Sequence, residues 1–229
     1  MPVAHFRPPG PAASARASEP RSVPQHQVVP LPRTATFSEI FAGTGRDAGA
    51  VGFALAQVEG NKPLLWVQDR MSILETGRLF PRGIAAELIH VEARDAKAAL
   101  WAMEEGLKCA ALSAVVGEIW GNPKALDFTA TRRLAVAAER SGVAAVLLLF
   151  NAVPNLSGAR LRWHASSRPS PLHPHDALAP GAPAWALDLF KARGVDPGRW
   201  DVADEADGLH LLGAPGDGQL AQAERRRAG

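Results

Sequence analysis

The sequence predicts an α/β protein with a doubly wound, mostly parallel sheet and antiparallel strands added at its C-terminal end. Two observations support this fold class. Between residues 37 and 150, short apolar runs typical of strands alternate with segments of helical periodicity, an order that favours helices on both faces of a parallel sheet. After residue 158 the helical period is absent, and short strand-like runs are separated by Pro and Gly.

Five strands are predicted in the parallel part of the chain. They are FSEIF (37–41), PLLWVQ (63–68), ELIHVE (87–92), SAVVGEI (113–119) and VAAVLLLF (143–150). The last run is apolar throughout, as expected of a strand that is covered on both faces. The stretch between residues 77 and 83 contains two glycines and a proline, and we expect it to be irregular.

Three helices are predicted between these strands. The first is an alanine-rich segment over 48–58, and the second covers 95–108. In the second, apolar residues recur at helical spacing at Ala96, Ala99, Leu100, Met103 and Leu107. The third follows Asp127, an N-cap candidate, and runs through Arg140. Gly142 is its expected stop, because glycine readily adopts the left-handed conformation that ends a helix.

The chain divides into four predicted segments. Residues 1–33 form a Pro-, Ala- and Arg-rich tail whose few large apolar groups predict disorder. A core over 34–158 follows, then β additions over 159–213, where GARLRWHASSRP, AWALDLFKARG, RWDV and GLHLL are the strand-like runs. Residues 214–229 are predicted to be a flexible basic tail.

Composition favours a soluble cytoplasmic protein. The chain has 229 residues, 47% of them hydrophobic and 21% charged, and no apolar run approaches the length of a membrane span. No secretory signal is evident, and the single cysteine, Cys109, indicates a protein without disulfides. A net charge of only +2 gives no strong field for nucleic acid, so we expect any nucleic-acid contact to be weak or indirect.

The stretch FAGTGRDAGAVGFALA (41–56) has the outline of a phosphate-binding loop, with glycines at Gly43, Gly45 and Gly49. A working loop of this kind also needs a Lys for the phosphates and a Ser or Thr for magnesium. Here Arg46 is the nearest cation, and Asp47 places a negative charge beside it. We therefore predict a degenerate phosphate loop and expect no cofactor.

Other candidates for chemistry are sparse. Asp69 and Glu118 stand at or near strand ends and are weak candidates for a residual nucleotide site. His173 and His175 lie in a proline-rich loop without further ligands at metal spacing, so no metal site is expected. Cys109 is predicted to be a small core residue. Most of the tryptophans are also expected in the core, at Trp101, Trp120, Trp163, Trp185 and Trp200.

Six stretches, taken in order, resemble the core of the RecA recombinase fold over residues 35–170. They are EIFAGTGRDAGAVGFALA, LLWVQD, LIHVEARDAKAALWAMEEGL, LSAVVGEIW, DFTATRRLAVAAERSGVAAVLLLFN and GARLRWHASSRP. The pieces ALWAMEEGL, AVVGEIW and TRRLAVAAERSGV, with the Trp-containing C-terminal strands, are similar to the ImuA family over residues 37–212. The resemblance implies a RecA-like sheet, with the core over 34–158 as a degenerate copy of the recombinase core.

The fold relation implies positions for the nucleotide machinery. It places Ala48 at the phosphate-binding lysine, Gly49 at the magnesium-binding hydroxyl, Gly117 at the acidic strand end and Asp69 at the catalytic glutamate. Three of these four positions lack the required side chain. The stretches that correspond to the DNA-binding loops of RecA, GNPKAL and NAVPNLSG, are short and offer little beyond Lys124.

The ImuA resemblance implies a part in the SOS response to DNA damage, in error-prone translesion synthesis. Members are encoded with ImuB, which resembles a Y-family polymerase, and with an error-prone polymerase III alpha subunit. The main hypothesis is a non-catalytic accessory protein that contacts RecA, ImuB or both, with the alpha subunit as a third candidate partner. Predicted contact residues are Val28, Val29, Leu31, Trp185, Trp200, Arg225, Arg226 and Arg227. Two alternatives remain open: an ATPase with an atypical phosphate loop, and a cell-division inhibitor of the SulA type.

Overall fold

The computed structural model describes residues 29–31, 36–45, 47–58, 60, 62–80, 84, 87–176 and 178–212. The strands in these ranges are β1 (Phe37–Ala42), β2 (Leu64–Asp69), β3 (Leu88–Ala93), β4 (Ala114–Trp120), β5 (Ala144–Phe150), β6 (Leu161–Arg168), β7 (Ala184–Ala192), β8 (Gly198–Glu205) and β9 (Gly208–Leu211). The helices are α1 (Gly49–Leu55), α2 (Arg70–Thr76), α3 (Ala96–Gly106) and α4 (Phe128–Ser141). Val28, Arg46, Arg225, Arg226, Arg227, most of the 1–33 segment and all of 214–229 lie outside the described residues.

The strands form one sheet in the order β3-β2-β4-β5-β1-β6-β7-β8-β9. All pairings from β3 to β6 are parallel, and those from β6 to β9 are antiparallel. This order confirms the predicted α/β class with C-terminal antiparallel strands, and it is consistent with a RecA-like fold. One strand expected to be antiparallel is parallel. GARLRWHASSRP supplies β6, which pairs in parallel with β1. This direction is possible because residues 151–160 return the chain to the end of the sheet at which β1 starts.

The two faces of the sheet carry different layers. On one face, Phe37, Val115 and Leu147 belong to a core that includes the buried sides of α3 and α4. On the other face, α1 contributes Phe53, whose ring centroid lies 5.1 Å from that of Trp163. Strand residues alternate between the faces, so adjacent positions in one strand serve different layers.

Local signals set the helix boundaries. The Asp127 side chain accepts a 2.8 Å hydrogen bond from the Ala130 backbone, and Gly142 ends α4 at φ 74°, which confirms both predicted boundaries. Helix α2, by contrast, occupies residues directly before the expected irregular stretch and was not predicted. Asp69 caps its start, and Gly77, at φ 88°, ends it after only seven residues, too few to give a clear periodic pattern.

Several predicted core and contact residues occupy other environments. Cys109 is exposed in the turn after α3, and Trp101 is 62% exposed on α3, so the core prediction is wrong for both. Trp185 and Trp200 are only 4% and 5% exposed, since both pack in the face that holds α1. Their burial contradicts the prediction that they form a partner surface.

The segment over residues 29–31 lies against the body of the protein. Val29 is 8% exposed, and both Val29 and Leu31 pack against the core on the α1 face. This short segment therefore covers the body of the protein. Among the described residues, no helix is both long enough and apolar enough to cross a membrane.

A buried ion pair joins β1 to β6 inside the sheet. The Arg162 Nε donates to Glu39 Oε2 at 2.7 Å, and the two side chains are 4% and 1% exposed. Ser157 Oγ donates to the other carboxylate oxygen of Glu39. The Arg162 guanidinium also lies 5.4 Å from the ring centroid of Phe41 and 5.3 Å from that of Phe190. Because Glu39 and Arg162 are register partners, this pair fixes the alignment of the two strands.

Candidate functional site

The loop between β1 and α1 lies where the carboxyl ends of the parallel strands meet, the usual ligand side of such a sheet. Its most distinctive contact is made by Asp47. The Asp47 carboxylate accepts hydrogen bonds from the Gly49 backbone at 2.8 Å, from the Ser167 backbone at 3.0 Å and from Ser167 Oγ at 2.5 Å. The Asp47 carboxylate therefore accepts a hydrogen bond from a backbone N–H beside its own loop, and it also links the loop to the end of β6.

The electrostatics of Asp47 follow from these bonds. Partial burial alone raises the pKa of this carboxyl. The hydrogen bonds from Ser167 and Gly49 oppose that effect and together hold the pKa of Asp47 below its ordinary value. Asp47 is therefore ionised at neutral pH, and a fixed negative charge stands at the start of α1.

The glycines of the loop serve close packing. A Cβ at Gly49 would lie 2.5 Å from the backbone nitrogen of Ser167, so only glycine lets α1 begin this close to β6. A Cβ at Gly45 would lie 2.5 Å from Cη2 of Trp120, whose ring lies against the loop. Gly43 has no such contact, since the nearest atom would be 3.8 Å away. Packing within the protein thus accounts for glycine at two of the three predicted loop positions.

A cavity of about 290 Å³ opens beside the loop, near the lower limit of volumes that hold small ligands. One wall is formed by the loop and α1, and the other by the end of α2 and residues 77–80. The lining includes Asp47, Ala48, Gln68, Glu118 and Phe150. This is the position that sequence reasoning assigned to the nucleotide, and the cavity contains Glu118 and the loop residue Gly45 but neither Asp69 nor Gly117.

Glu118 lies on the floor of this cavity and is 2% exposed. Its two carboxylate oxygens accept hydrogen bonds from Trp66 Nε1 at 2.7 Å and from Gln68 Nε2 at 2.9 Å. Burial raises the pKa of Glu118 to about 7, with a smaller contribution from the charge of Asp69, although the bonds from Gln68 and Trp66 oppose the rise. Glu118 can therefore gain or lose a proton near neutral pH.

Gln68 connects Glu118 to the wall of the cavity. Its Nε2 also donates to the Gly77 carbonyl at 3.0 Å, and its Oε1 accepts from the Leu79 backbone at 3.2 Å. His90 Nε2 lies 2.9 Å from the same Oε1. The segment after α2 is thus held to the sheet by one amide side chain. Sequence reasoning missed Trp66, Gln68 and His90, although polar residues on one face of strands otherwise apolar are the signal that could have found them.

Two positions taken from the fold resemblance have other roles here. Asp69 is 3% exposed, and its carboxylate caps α2 by accepting from the Ser72 backbone at 2.7 Å. Gly117 faces α3, where a Cβ would lie 2.2 Å from Sδ of Met103, so close packing of the helix accounts for glycine at this position. The acidic side chain that β4 directs into the cavity is Glu118, one residue further along.

The chain is similar over most of its length to curated proteins from one bacterial species. No family model matches the chain. Two curated relatives, each named protein ImuA and each from a strain of Caulobacter vibrioides, are 30% identical to it over 179 residues. The similarity covers 72% of this chain and 71% of each relative. It therefore extends over most of both proteins.

Proposed function

The chain belongs to the ImuA family, and from this membership we propose that it is an accessory protein of damage-induced, error-prone translesion DNA synthesis. In this proposal it acts without nucleotide hydrolysis, as a RecA-like domain that contacts RecA, ImuB or both. Contact with the error-prone polymerase III alpha subunit would follow through these partners. The single observation that carries the non-catalytic part is the hydrogen bonding of Asp47.

Asp47 supports this proposal because it engages a donor that a phosphate would need. In a phosphate loop, backbone N–H groups at the start of the helix bind the anion. Here the Gly49 N–H is bound by the Asp47 carboxylate, which is itself held by Ser167. A polyphosphate would meet a fixed negative charge there, and neither Ala48 nor Gly49 offers the Lys or hydroxyl group that offsets such repulsion.

Glu118 supports the same conclusion from the other side of the cavity. A carboxylate that holds a hydrated magnesium ion must be ionised and must offer free lone pairs. Both oxygens of Glu118 are engaged by Trp66 and Gln68, and its pKa of about 7 leaves much of it protonated at neutral pH. These features favour a structural polar network over metal binding.

The open edge at β3 supports a function based on protein contacts. Within the described residues, β3 pairs only with β2 and stands at the end of the sheet, with Ile89 45% exposed. The other edge of such a strand presents backbone donors and acceptors to which a segment of another chain can pair. We propose that a RecA or ImuB segment is added here.

A thermal melt with and without millimolar magnesium and ATP tests the non-catalytic part. We expect no change in Tm, while RecA under the same conditions serves as the positive control. A ligand present at about 100 times its dissociation constant would add about 2.7 kcal/mol, or several degrees in Tm. A shift of that size would contradict the proposal and favour an ATPase with an atypical loop.

Binding assays with purified partners test the accessory part. We expect RecA or ImuB to be retained by the immobilised chain, and the tubulin-like ring protein of cell division not to be. Ile89→Lys places a charge on the β3 edge and should weaken retention, whereas Leu178→Lys, at a fully exposed loop position, should not. Retention of the ring protein alone would contradict the proposal and support a division inhibitor.

A further inference from the structure

The face of the sheet opposite Glu118 carries a surface groove between α3 and α4. This α3–α4 groove has a volume of about 590 Å³, and its lining includes Leu107, Lys108, Arg132, Val136, Ala137 and Arg140. A second depression of about 280 Å³ extends it toward the start of both helices and includes Lys97 and Trp101. The two share Glu104, Thr129 and Arg133, so they form one elongated surface.

The floor of the α3–α4 groove is apolar although it is open to solvent. Val136 is 43% exposed and lies beside Ala137 and the buried Leu107. At the other end of the surface, Trp101 is 62% exposed. Large apolar side chains in an elongated depression with a polar rim are typical of a protein-binding surface.

The rim of the surface is predominantly positive. Among the residues that line the two depressions, five are Lys or Arg and two are carboxylates. One carboxylate, Asp127, caps α4, and the other, Glu104, forms an ion pair with Arg133. Lys108 pairs with Glu105 outside the groove. Within the part of the chain that the structure describes, no ion pair neutralises Lys97, Arg132 or Arg140.

The unpaired arginines have a regular spacing. Arg132, Val136 and Arg140 follow one another at intervals of four residues, so they lie along one side of α4 with the apolar residue in the middle. The 14 residues of α4 extend for about 21 Å. A partner helix of about 14 residues would match this length. The groove thus presents an apolar line and two flanking cations over the length of a short helix.

We propose that the α3–α4 groove binds an acidic amphipathic helix of a partner protein. The apolar side chains of that helix, at positions i, i+3, i+4 and i+7, rest on Val136 and Ala137. Its carboxylates meet Arg132 and Arg140, where charge complementarity fixes the orientation of the helix. This surface is separate from the cavity and from the β3 edge. The inference therefore goes beyond the proposed function and does not depend on it.

A nucleic acid fits the groove less well than an acidic helix does. Affinity for a phosphate backbone depends on the number of cations that neutralise it, and among the described residues that line the groove only Arg132 and Arg140 are cations without an ion pair. The apolar floor would also remain uncovered by a phosphate backbone. Single-stranded DNA is therefore the appropriate competing probe.

Selection from a display library of helix-forming peptides of about 14 residues tests the proposal on the full chain. We expect enrichment of peptides that combine Asp and Glu with apolar residues at helical spacing. The best one is then synthesised with a fluorescent label, and its Kd is measured by anisotropy. Failure to enrich acidic amphipathic peptides would overturn the proposal.

The double variant Arg132→Glu/Arg140→Glu locates the binding site. We expect it to raise the Kd of the selected peptide by about tenfold or more, which is about 1.4 kcal/mol. The control Arg70→Glu/Arg193→Glu has the same change in charge at exposed positions away from the groove, and its Kd should stay within about twofold. An unchanged Kd in the groove variant would overturn the proposal.

A labelled single-stranded oligonucleotide is titrated in parallel against the unmodified chain and against both double variants. If it binds and the groove variant abolishes that binding while the peptide is unaffected, the surface is a nucleic-acid site and the proposal is wrong. Thermal melts of both double variants confirm folding, since exposed charge changes have small effects on stability. Val136→Asp, which alters the floor and keeps both arginines, should weaken peptide binding independently.

Discussion

The indole Nε1 of Trp66 donates a 2.7 Å hydrogen bond to Oε1 of Glu118, and both side chains are almost completely buried between neighbouring strands β2 and β4. Burying a carboxylate is costly even when it is hydrogen-bonded, so the protonated form is favoured. The pKa of Glu118 rises to about 7 for this reason. A charge in the candidate site thus depends on pH in the physiological range.

The raised pKa predicts that stability falls as pH rises. The folded protein holds the Glu118 proton more tightly than the unfolded chain, in which the pKa of this carboxyl is 4.5. The stabilisation is therefore complete below about pH 4.5 and is lost as pH rises through about 7, amounting to about 3 kcal/mol. Urea unfolding of the native protein and of Glu118→Gln across this range measures the difference. Parallel pH profiles of the two proteins would contradict the prediction.

Replacing Asp47 with alanine should loosen the loop. The variant loses the bonds to Gly49 and Ser167, and we expect a loss of about 1 to 2 kcal/mol in the free energy of unfolding at neutral pH. Because hydrogen bonding lowers the pKa of Asp47, the stability that its carboxylate contributes is lost only as pH falls below 3.8, the pKa of this group in the unfolded chain. Asp196→Ala, at an exposed position, is the matched control and should change stability little. Equal effects of the two variants would exclude the bonding role.

Gly49→Ala should destabilise the protein through a backbone clash. The added Cβ would lie 2.5 Å from the Ser167 nitrogen, so α1 or β6 must shift, at a cost of about 1 to 3 kcal/mol. Gly43→Ala in the same loop meets only ordinary contacts and should be nearly neutral. Chemical denaturation of both variants measures the difference. A stabilising effect of alanine at Gly49 would show that the loop is not closely packed against β6.

Removing one partner of the buried ion pair should have a large effect. Arg162→Met leaves the Glu39 carboxylate buried and uncompensated, which costs about 3 to 5 kcal/mol. The double variant Glu39→Leu/Arg162→Met removes the stranded charge and should recover most of the loss. Arg160→Met breaks the half-exposed pair with Glu139 and should cost at most about 1 kcal/mol. Additive effects of the two core substitutions would argue against coupling.

The sequence predicts the class of fold because its local patterns are strong. Alternating apolar runs and helical periods identify all of β1 to β5, and the capping residues of α4 are correctly placed. Helix α2 could not be recognised, because seven residues between a capping Asp69 and a terminating Gly77 give little periodicity. The direction of β6 was also beyond prediction, since it depends on pairing with a strand far away in the chain.

The candidate site was predictable in position but not in its contacts. The glycine-rich loop is recognisable, whereas the bond from Ser167 to Asp47 joins residues 120 positions apart. The network around Glu118 likewise joins β2 and β4 across 50 residues. The core prediction is correct for Trp185 and Trp200, whose burial rules them out as a partner surface, but it is wrong for Trp101. Composition does not show which face of an element is covered.

The central position of β1 has a consequence for synthesis on the ribosome. This strand is made first, yet its two neighbours in the sheet begin at residues 144 and 161. Arg162 follows Glu39 by 123 residues, which corresponds to a delay of roughly 6 to 25 s at typical translation rates. The middle of the sheet is thus completed only after β2 to β5 have been made. In a nascent chain that stops before β6, the Glu39 carboxylate has no Arg162 partner, and one edge of β1 is free to pair with a wrong strand.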